Sequence, residues 1–180
     1  MSEKEFDIFD ELFTKAEKAE EAAASGGKFE LPAEGDYTGK IIGCGIQTNV
    51  SVTYDDKETL KNRIKFVITA IDEKSGKQDI FLSKFYNVTY SEKGLFLPTL
   101  SKILGKKITP EFIKDKKDIL KYTIGRYINF EVTHNSYADK VYVNVDNISK
   151  IVKGQELPEL ENIEISDAIR SKYDLFLEKE

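Results

Sequence analysis

The chain has 180 residues and a formal net charge of −5, with 40% hydrophobic and 11% aromatic residues. This composition is sufficient for one hydrophobic core and argues against a disordered chain. No stretch approaches the roughly 18 apolar residues of a membrane span, and the acidic N-terminus does not resemble a signal peptide. A single cysteine, Cys44, excludes an internal disulfide, so we expect a cytoplasmic protein without membrane contact.

Charge is distributed unevenly along the chain. Residues 1–36 carry 4 basic and 11 acidic residues (net −7), residues 37–153 carry 20 and 13 (net +7), and residues 154–180 carry 3 and 8 (net −5). The basic middle would attract a polyanion. We therefore expect an acidic amphipathic helix within 1–28, a folded domain over 29–153, and an acidic connector and helix over 154–180.

The middle of the chain has the alternating pattern of β-strands, interrupted by a helical stretch. The predicted strands are 37–48, 61–71, 78–89, 126–133 and 140–145. The first carries three glycines and should be bent or bulged. A polar loop is predicted within 49–60, and helices are predicted over 92–105 and from Pro110. This order predicts a mainly β protein with flanking helices, a five-stranded OB-fold barrel with a helical insertion between strands 3 and 4. A final helix is predicted from Ser166 through Phe176.

Three segments carry a family resemblance: GDYTGKIIG, NRIKFVITAIDEKSGKQDIFLSKFYN and GLFLPTLSKILG. Over roughly residues 29–150 the chain resembles phage-encoded single-stranded DNA-binding proteins of the OB-fold type. The resemblance implies sequence-tolerant binding of single-stranded DNA, without chemistry, in replication or recombination in the host cytoplasm. One departure is the end DLFLEKE, where bacterial proteins of this activity often have a disordered acidic tip with a terminal Pro-Phe.

Strand alternation selects candidate binding residues, because phosphates require cations and unpaired bases require flat rings. If Ile64, Phe66 and Ile68 face inward, Arg63 and Lys65 face outward. Arg126 is expected to be useful only at the rim, whereas Tyr127 and Tyr142 are expected to stack on bases. The predicted nucleic-acid-binding residues are Arg63, Lys65, Lys84, Tyr86, Arg126, Tyr127, Asn129, Tyr137, Lys140 and Tyr142, with Tyr54 and Lys57 as further loop candidates.

The third strand is ambiguous, since Phe81 and Phe85 share one face while Lys84 and Tyr86 share the other. We predict that the two phenylalanines are core and that Lys84 and Tyr86 face the ligand. The reversed orientation would make the phenylalanines the binding platform.

Enzymatic interpretations find little support in the sequence. The lone histidine, His134, has no cluster of metal-ligating residues at suitable spacing, and Cys44 has no activating base. We therefore predict no catalytic residue, metal or cofactor. The alternative is an OB-fold protein-interaction module, and the basic middle disfavours an acidic DNA mimic. The N-terminal helix either packs on the barrel or in a homodimer, or competes with DNA or docks a recombinase or helicase.

Overall fold

A computed structural model describes residues 31–89, 91, 93–115, 120–165, 167–172 and 174–177, so the helix predicted within 1–28 lies outside the described residues. The described part is mainly β, an antiparallel sheet with a few short helices. The strands are β1 (Gly35–Tyr54), β2 (Lys57–Ile71), β3 (Gln78–Leu82), β4 (Tyr86–Asn87), β5 (Tyr127–Tyr137), β6 (Lys140–Lys150) and β7 (Asp174–Leu177). The helices are α1 (Phe96–Leu104), α2 (Pro110–Asp115), α3 (Leu120–Thr123) and α4 (Asp167–Lys172).

The strands form one sheet in the order β3-β2-β1-β5-β6, with β4 added to β2 and β7 to β1. All ladders are antiparallel. Among the described residues no ladder joins β3 to β6, so the sheet is open rather than closed. One ion pair spans the opening, between Lys84 Nζ and Asp146 Oδ1 at 3.6 Å. Helices α1 to α3 lie in the chain between β4 and β5, which agrees with the predicted helical insertion.

The core lies between one face of the sheet and α1. Tyr37, Phe81 and Phe130 form its aromatic centre, with ring centroids 5.3 to 5.6 Å apart across β1, β3 and β5. From α1 the core receives four buried side chains: Phe96, Leu97, Leu100 and Ile103. Such burial of apolar area, at about 25 cal/mol per Å², is the main force that holds the curved sheet and helix together.

The long strand β1 is bent, as its glycines predict. Gly39 lies so close to β2 that a Cβ there would come within 2.5 Å of the backbone oxygen of Thr69. The β1–β2 register shifts between Ile41 and Gly43 and again between Gln47 and Val50. Each β-bulge bends the strand and increases its twist, so β1 can pair with β2 on one edge and with β5 and then β7 on the other.

Asp72 fixes the start of β1 to the turn between β2 and β3. Its carboxylate accepts hydrogen bonds from Ala33 N (3.2 Å), Tyr37 Oη (3.3 Å), Lys74 N (3.1 Å) and Ser75 Oγ (3.0 Å). Burial opposes ionisation of this group, but the hydrogen bonds outweigh it and lower the pKa of Asp72. Burial, followed by the Asp72 charge, raises the pKa of Tyr37 to about 12.

Two predicted elements differ from the structure. The polar loop predicted within 49–60 is only a two-residue turn at Asp55 and Asp56, because β1 and β2 continue on either side of it as a two-stranded ribbon. These two residues have φ values of 48° and 59°, the pair of positive angles that a type I′ hairpin turn requires. The predicted final helix is also too long: α4 ends at Lys172 and the strand β7 follows.

Candidate nucleic-acid interface

One face of β2 carries a line of cations. Ile64, Phe66 and Ile68 point into the core, while Val67 packs on the opposite, outer face of the sheet. Side chains alternate along a strand, so the other odd-numbered residues of β2 share this outer face, spaced by about 6.6 Å per two residues. We call four of them the cationic row: Lys57, Lys61, Arg63 and Lys65.

The strand β1 supplies the neighbours of the cationic row. The register places Tyr54 opposite Lys57, Val50 opposite Lys61, and Gln47 opposite Arg63. Directly opposed residues of an antiparallel pair lie on the same face, with Cβ atoms about 5 Å apart. The outer face of the ribbon therefore combines positive charge with an exposed ring at its tip, where Tyr54 is 77% exposed.

Access to the cationic row decreases from the tip of the ribbon toward the sheet. Lys57 is exposed, Lys61 and Arg63 are half-buried, and Lys65 is only 6% exposed. Phe85 covers the inner end: the Lys65 ammonium lies 4.4 Å and the Arg63 guanidinium 5.5 Å from the centroid of its ring. Cations so placed are attracted by the electron-rich face of the ring, which holds them in position.

The C-terminal segment also covers part of the outer face. Ile165 and Ile169 pack against Val67 in a second apolar cluster, to which Phe85 also belongs. The side chain of Gln78 on β3 fixes this segment, donating to Glu161 O at 2.8 Å and accepting from Glu161 N at 2.9 Å. Consequently the exposed end of the cationic row is on the ribbon rather than at the centre of the sheet.

The β5–β6 hairpin repeats the chemistry of the ribbon tip. Tyr137 and Lys140 are cross-strand partners on either side of a turn whose two residues also have positive φ values. Both hairpins thus read Tyr-X-Asp-Lys, and Tyr137 is 73% exposed. Gly35 pairs with Val132 in the antiparallel β1–β5 ladder, so the two strands leave this ladder in opposite directions. The two tips therefore lie at opposite ends of the ladder.

Two predicted orientations on the third strand are wrong. Tyr86, expected to face the ligand, is 4% exposed and packs in the core with its ring centroid 5.8 Å from that of Phe66. Phe85, expected in the core, lies on the outer face. The cause is a break in the strand at Ser83, which donates from N to Phe66 O and accepts at Oγ from Phe66 N. Side chains alternate between the core and the outer face through Phe81, and this alternation changes phase at the break.

The remaining predicted residues occupy separate places. Asn129 belongs to a polar network, accepting from Thr38 Oγ1 at 2.8 Å and donating to Gln155 Oε1 at 3.0 Å, so its side chain holds the segment after β6. Arg126 is exposed, and its Nε donates to the backbone oxygen of Tyr122. Lys84 is exposed beside Asp146. Tyr127 and Tyr142 are half-buried, the latter with a buried hydroxyl.

Lys61 and Gln47 were not among the predicted binding residues, although both lie within predicted strands, 61–71 and 37–48. The signal for Lys61 was its alternation with Arg63 and Lys65 along the predicted strand 61–71, a pattern that Lys57 continues before the strand. His134 also differs from its predicted loop position: it lies in β5, where its N donates to Glu34 Oε1 and its ring Nε2 lies 2.7 Å from Pro32 O.

The described residues contain no group of three or more His, Cys, Asp or Glu side chains that could hold a metal ion. In the same part of the chain, no helix has the length and apolarity needed to span a membrane. Cys44 is buried, and this burial raises the pKa of its thiol to about 11. Comparison with known proteins finds no family model that matches the chain and no curated protein that resembles it significantly.

Proposed function

We propose that this chain is a sequence-tolerant single-stranded DNA-binding protein. The bound DNA strand lies along the outer face of the β1–β2 ribbon. The observation that carries the proposal is the cationic row, with Tyr54 beside its exposed end. A single strand presents one negative charge per nucleotide and unpaired bases with exposed faces. Cations along one face of a strand, beside a ring, meet both requirements without reading sequence.

Duplex DNA fits this surface less well. Its bases are stacked and paired, so the ring of Tyr54 has no base face to contact, and only the phosphates remain for the cations. The tyrosine at each hairpin tip is largely exposed, which leaves its ring accessible to an unpaired base. Base stacking of this kind is worth about 1–3 kcal/mol per base. Preference for single strands over duplex is therefore part of the proposal.

The architecture of the sheet is also compatible with this function. The strand order, the bulged first strand and the helices between β4 and β5 are compatible with an OB-type fold, in which the first and last hairpins flank the ligand. With this fold we propose a non-enzymatic role in phage replication or recombination in the host cytoplasm. A recombinase or helicase is the expected partner class.

The test is a titration of a fluorescein-labelled dT oligomer of about 20 nucleotides, long enough to fill one site of this kind. We expect a Kd in the micromolar range or tighter, weakening as salt rises from 50 to 200 mM, and weaker binding to duplex of equal length. If the three accessible cations of the row, Lys57, Lys61 and Arg63, contact phosphates, the slope of log K against log salt is about −2.1, because each contact contributes about −0.7.

Two results would contradict the proposal. Undetectable binding of the dT oligomer at low salt would favour the protein-interaction module instead. Equal or tighter binding of duplex would show that the basic surface attracts DNA without using unpaired bases.

A further inference from the structure

Gln47 is a buried amide whose hydrogen-bonding capacity is unused. Its side chain is 6% exposed, and within the described part of the chain neither Nε2 nor Oε1 has a hydrogen-bond partner. Buried polar groups are paired in the great majority of cases, because an unmade hydrogen bond costs free energy. An apolar side chain of equal length at position 47 would therefore stabilise the folded chain at least as well as the glutamine does.

The position of this amide relates it to the cationic row. Gln47 lies opposite Arg63, and Arg63 lies opposite Asn87 on β4, so a polar line crosses three strands on the outer face. Arg63 donates from Nε to Asn87 Oδ1 at 3.3 Å. The line meets the cationic row at Arg63, which places the amide of Gln47 beside the proposed path of the phosphates.

We propose that Gln47 recognises a base of the bound strand and favours adenine at that position. A glutamine amide presents one donor and one acceptor in a plane, and this pair matches the N6 amino group and N7 of adenine. A base in a single strand can turn away from its neighbours and reach a recessed group, displacing the side chains that cover it. The inference rests on the proposed function and adds a preference to otherwise sequence-tolerant binding.

The experiment compares wild type with Gln47→Met on dA, dC and dT oligomers of equal length. The quantity measured for each oligomer is the Kd of the variant divided by the Kd of wild type. Base stacking within the free oligomer affects both Kd values equally, so it cancels in this ratio. We expect a ratio of about 5 or more for dA, from the discrimination that one bidentate pair provides, and a ratio near 1 for dC and dT.

The matched control is Gln78→Met, which removes an amide that is fully used, with Thr69 Oγ1 and Glu161 as partners. This control should lower the melting temperature and leave the three ratios equal, whereas Gln47→Met should melt at or above wild type. Equal ratios for Gln47→Met on all three oligomers would overturn the inference while leaving the proposed function intact. Loss of stability or folding in Gln47→Met would overturn it too, by showing that the amide is structural. Absence of binding by wild type would refute the proposed function itself.

Discussion

Removal of two cations from the exposed end of the cationic row should weaken the salt dependence of binding by a calculable amount. Lys65 is 6% exposed, so Lys57→Gln with Lys61→Gln leaves Arg63 as the accessible cation of the row, and the slope of log K against log salt should change from about −2.1 to about −0.7. Between 50 and 200 mM salt, wild type should lose about 18-fold in affinity and the double variant only about 3-fold. Fluorescence anisotropy with a labelled dT oligomer measures both.

A second double variant separates position from net charge. Lys93 and Lys107 are exposed and lie outside the ribbon, so Lys93→Gln with Lys107→Gln removes the same charge elsewhere. This control should keep a slope near that of wild type. If both double variants shift the slope equally, binding follows overall charge and the cationic row has no special part in it. Because both substituted positions of the ribbon variant face solvent at least in part, its urea unfolding midpoint should match that of wild type.

Four further outcomes are expected. Tyr54→Ala should cost about 1–3 kcal/mol in binding to dT oligomers at unchanged melting temperature, since its ring is largely exposed beside the cationic row, whereas Tyr137→Ala at the opposite hairpin tip should change the Kd little; an unaltered Kd in Tyr54→Ala would remove the ribbon tip from the site. Asp72→Ala should lower the free energy of unfolding by about 3 kcal/mol in urea titrations at pH 7, because it leaves several donors unpaired. The lowered pKa of Asp72 means that its contribution is present above the ordinary aspartate pKa and lost as pH falls through the folded-state value, so wild type and variant should converge in stability in acid. Gly39→Ala should express largely unfolded, judged by circular dichroism, since the added methyl would collide with the backbone of β2. Cys44 should resist a thiol reagent at pH 8 until the protein is unfolded, and rapid labelling of the native protein would contradict its burial.

The alternation of apolar residues was sufficient to predict the strands that contact the core. In β2 the inward set Ile64, Phe66 and Ile68 was confirmed, and with it the outward direction of Arg63. The ribbon beyond Lys61 escaped prediction because no core lies beneath it. On β1, Val50, Val52 and Tyr54 do alternate with Ser51 and Thr53, but residues 57–60 of β2 show no such period, and the polar turn at Asp55 and Asp56 indicated a loop.

Two other features depend on contacts that no local pattern reveals. The break at Ser83 exists because its side chain and backbone both bond to Phe66, and this single event turns Tyr86 inward and Phe85 outward. The covering of the outer face by Ile165 depends on its packing with Val67, about a hundred residues earlier in the chain. Such long-range contacts decide how much of the cationic row a ligand can reach, and they are absent from the pattern of either strand alone.

The proposed function requires that an unpaired DNA strand lie on the outer face of the β1–β2 ribbon. Amide chemical-shift mapping by NMR during addition of a dT oligomer tests it most directly. We expect the largest shifts between Tyr54 and Lys65 and little change in α1, which packs over the core. Largest shifts on α1, or no shifts along the ribbon at saturating oligomer, would contradict it.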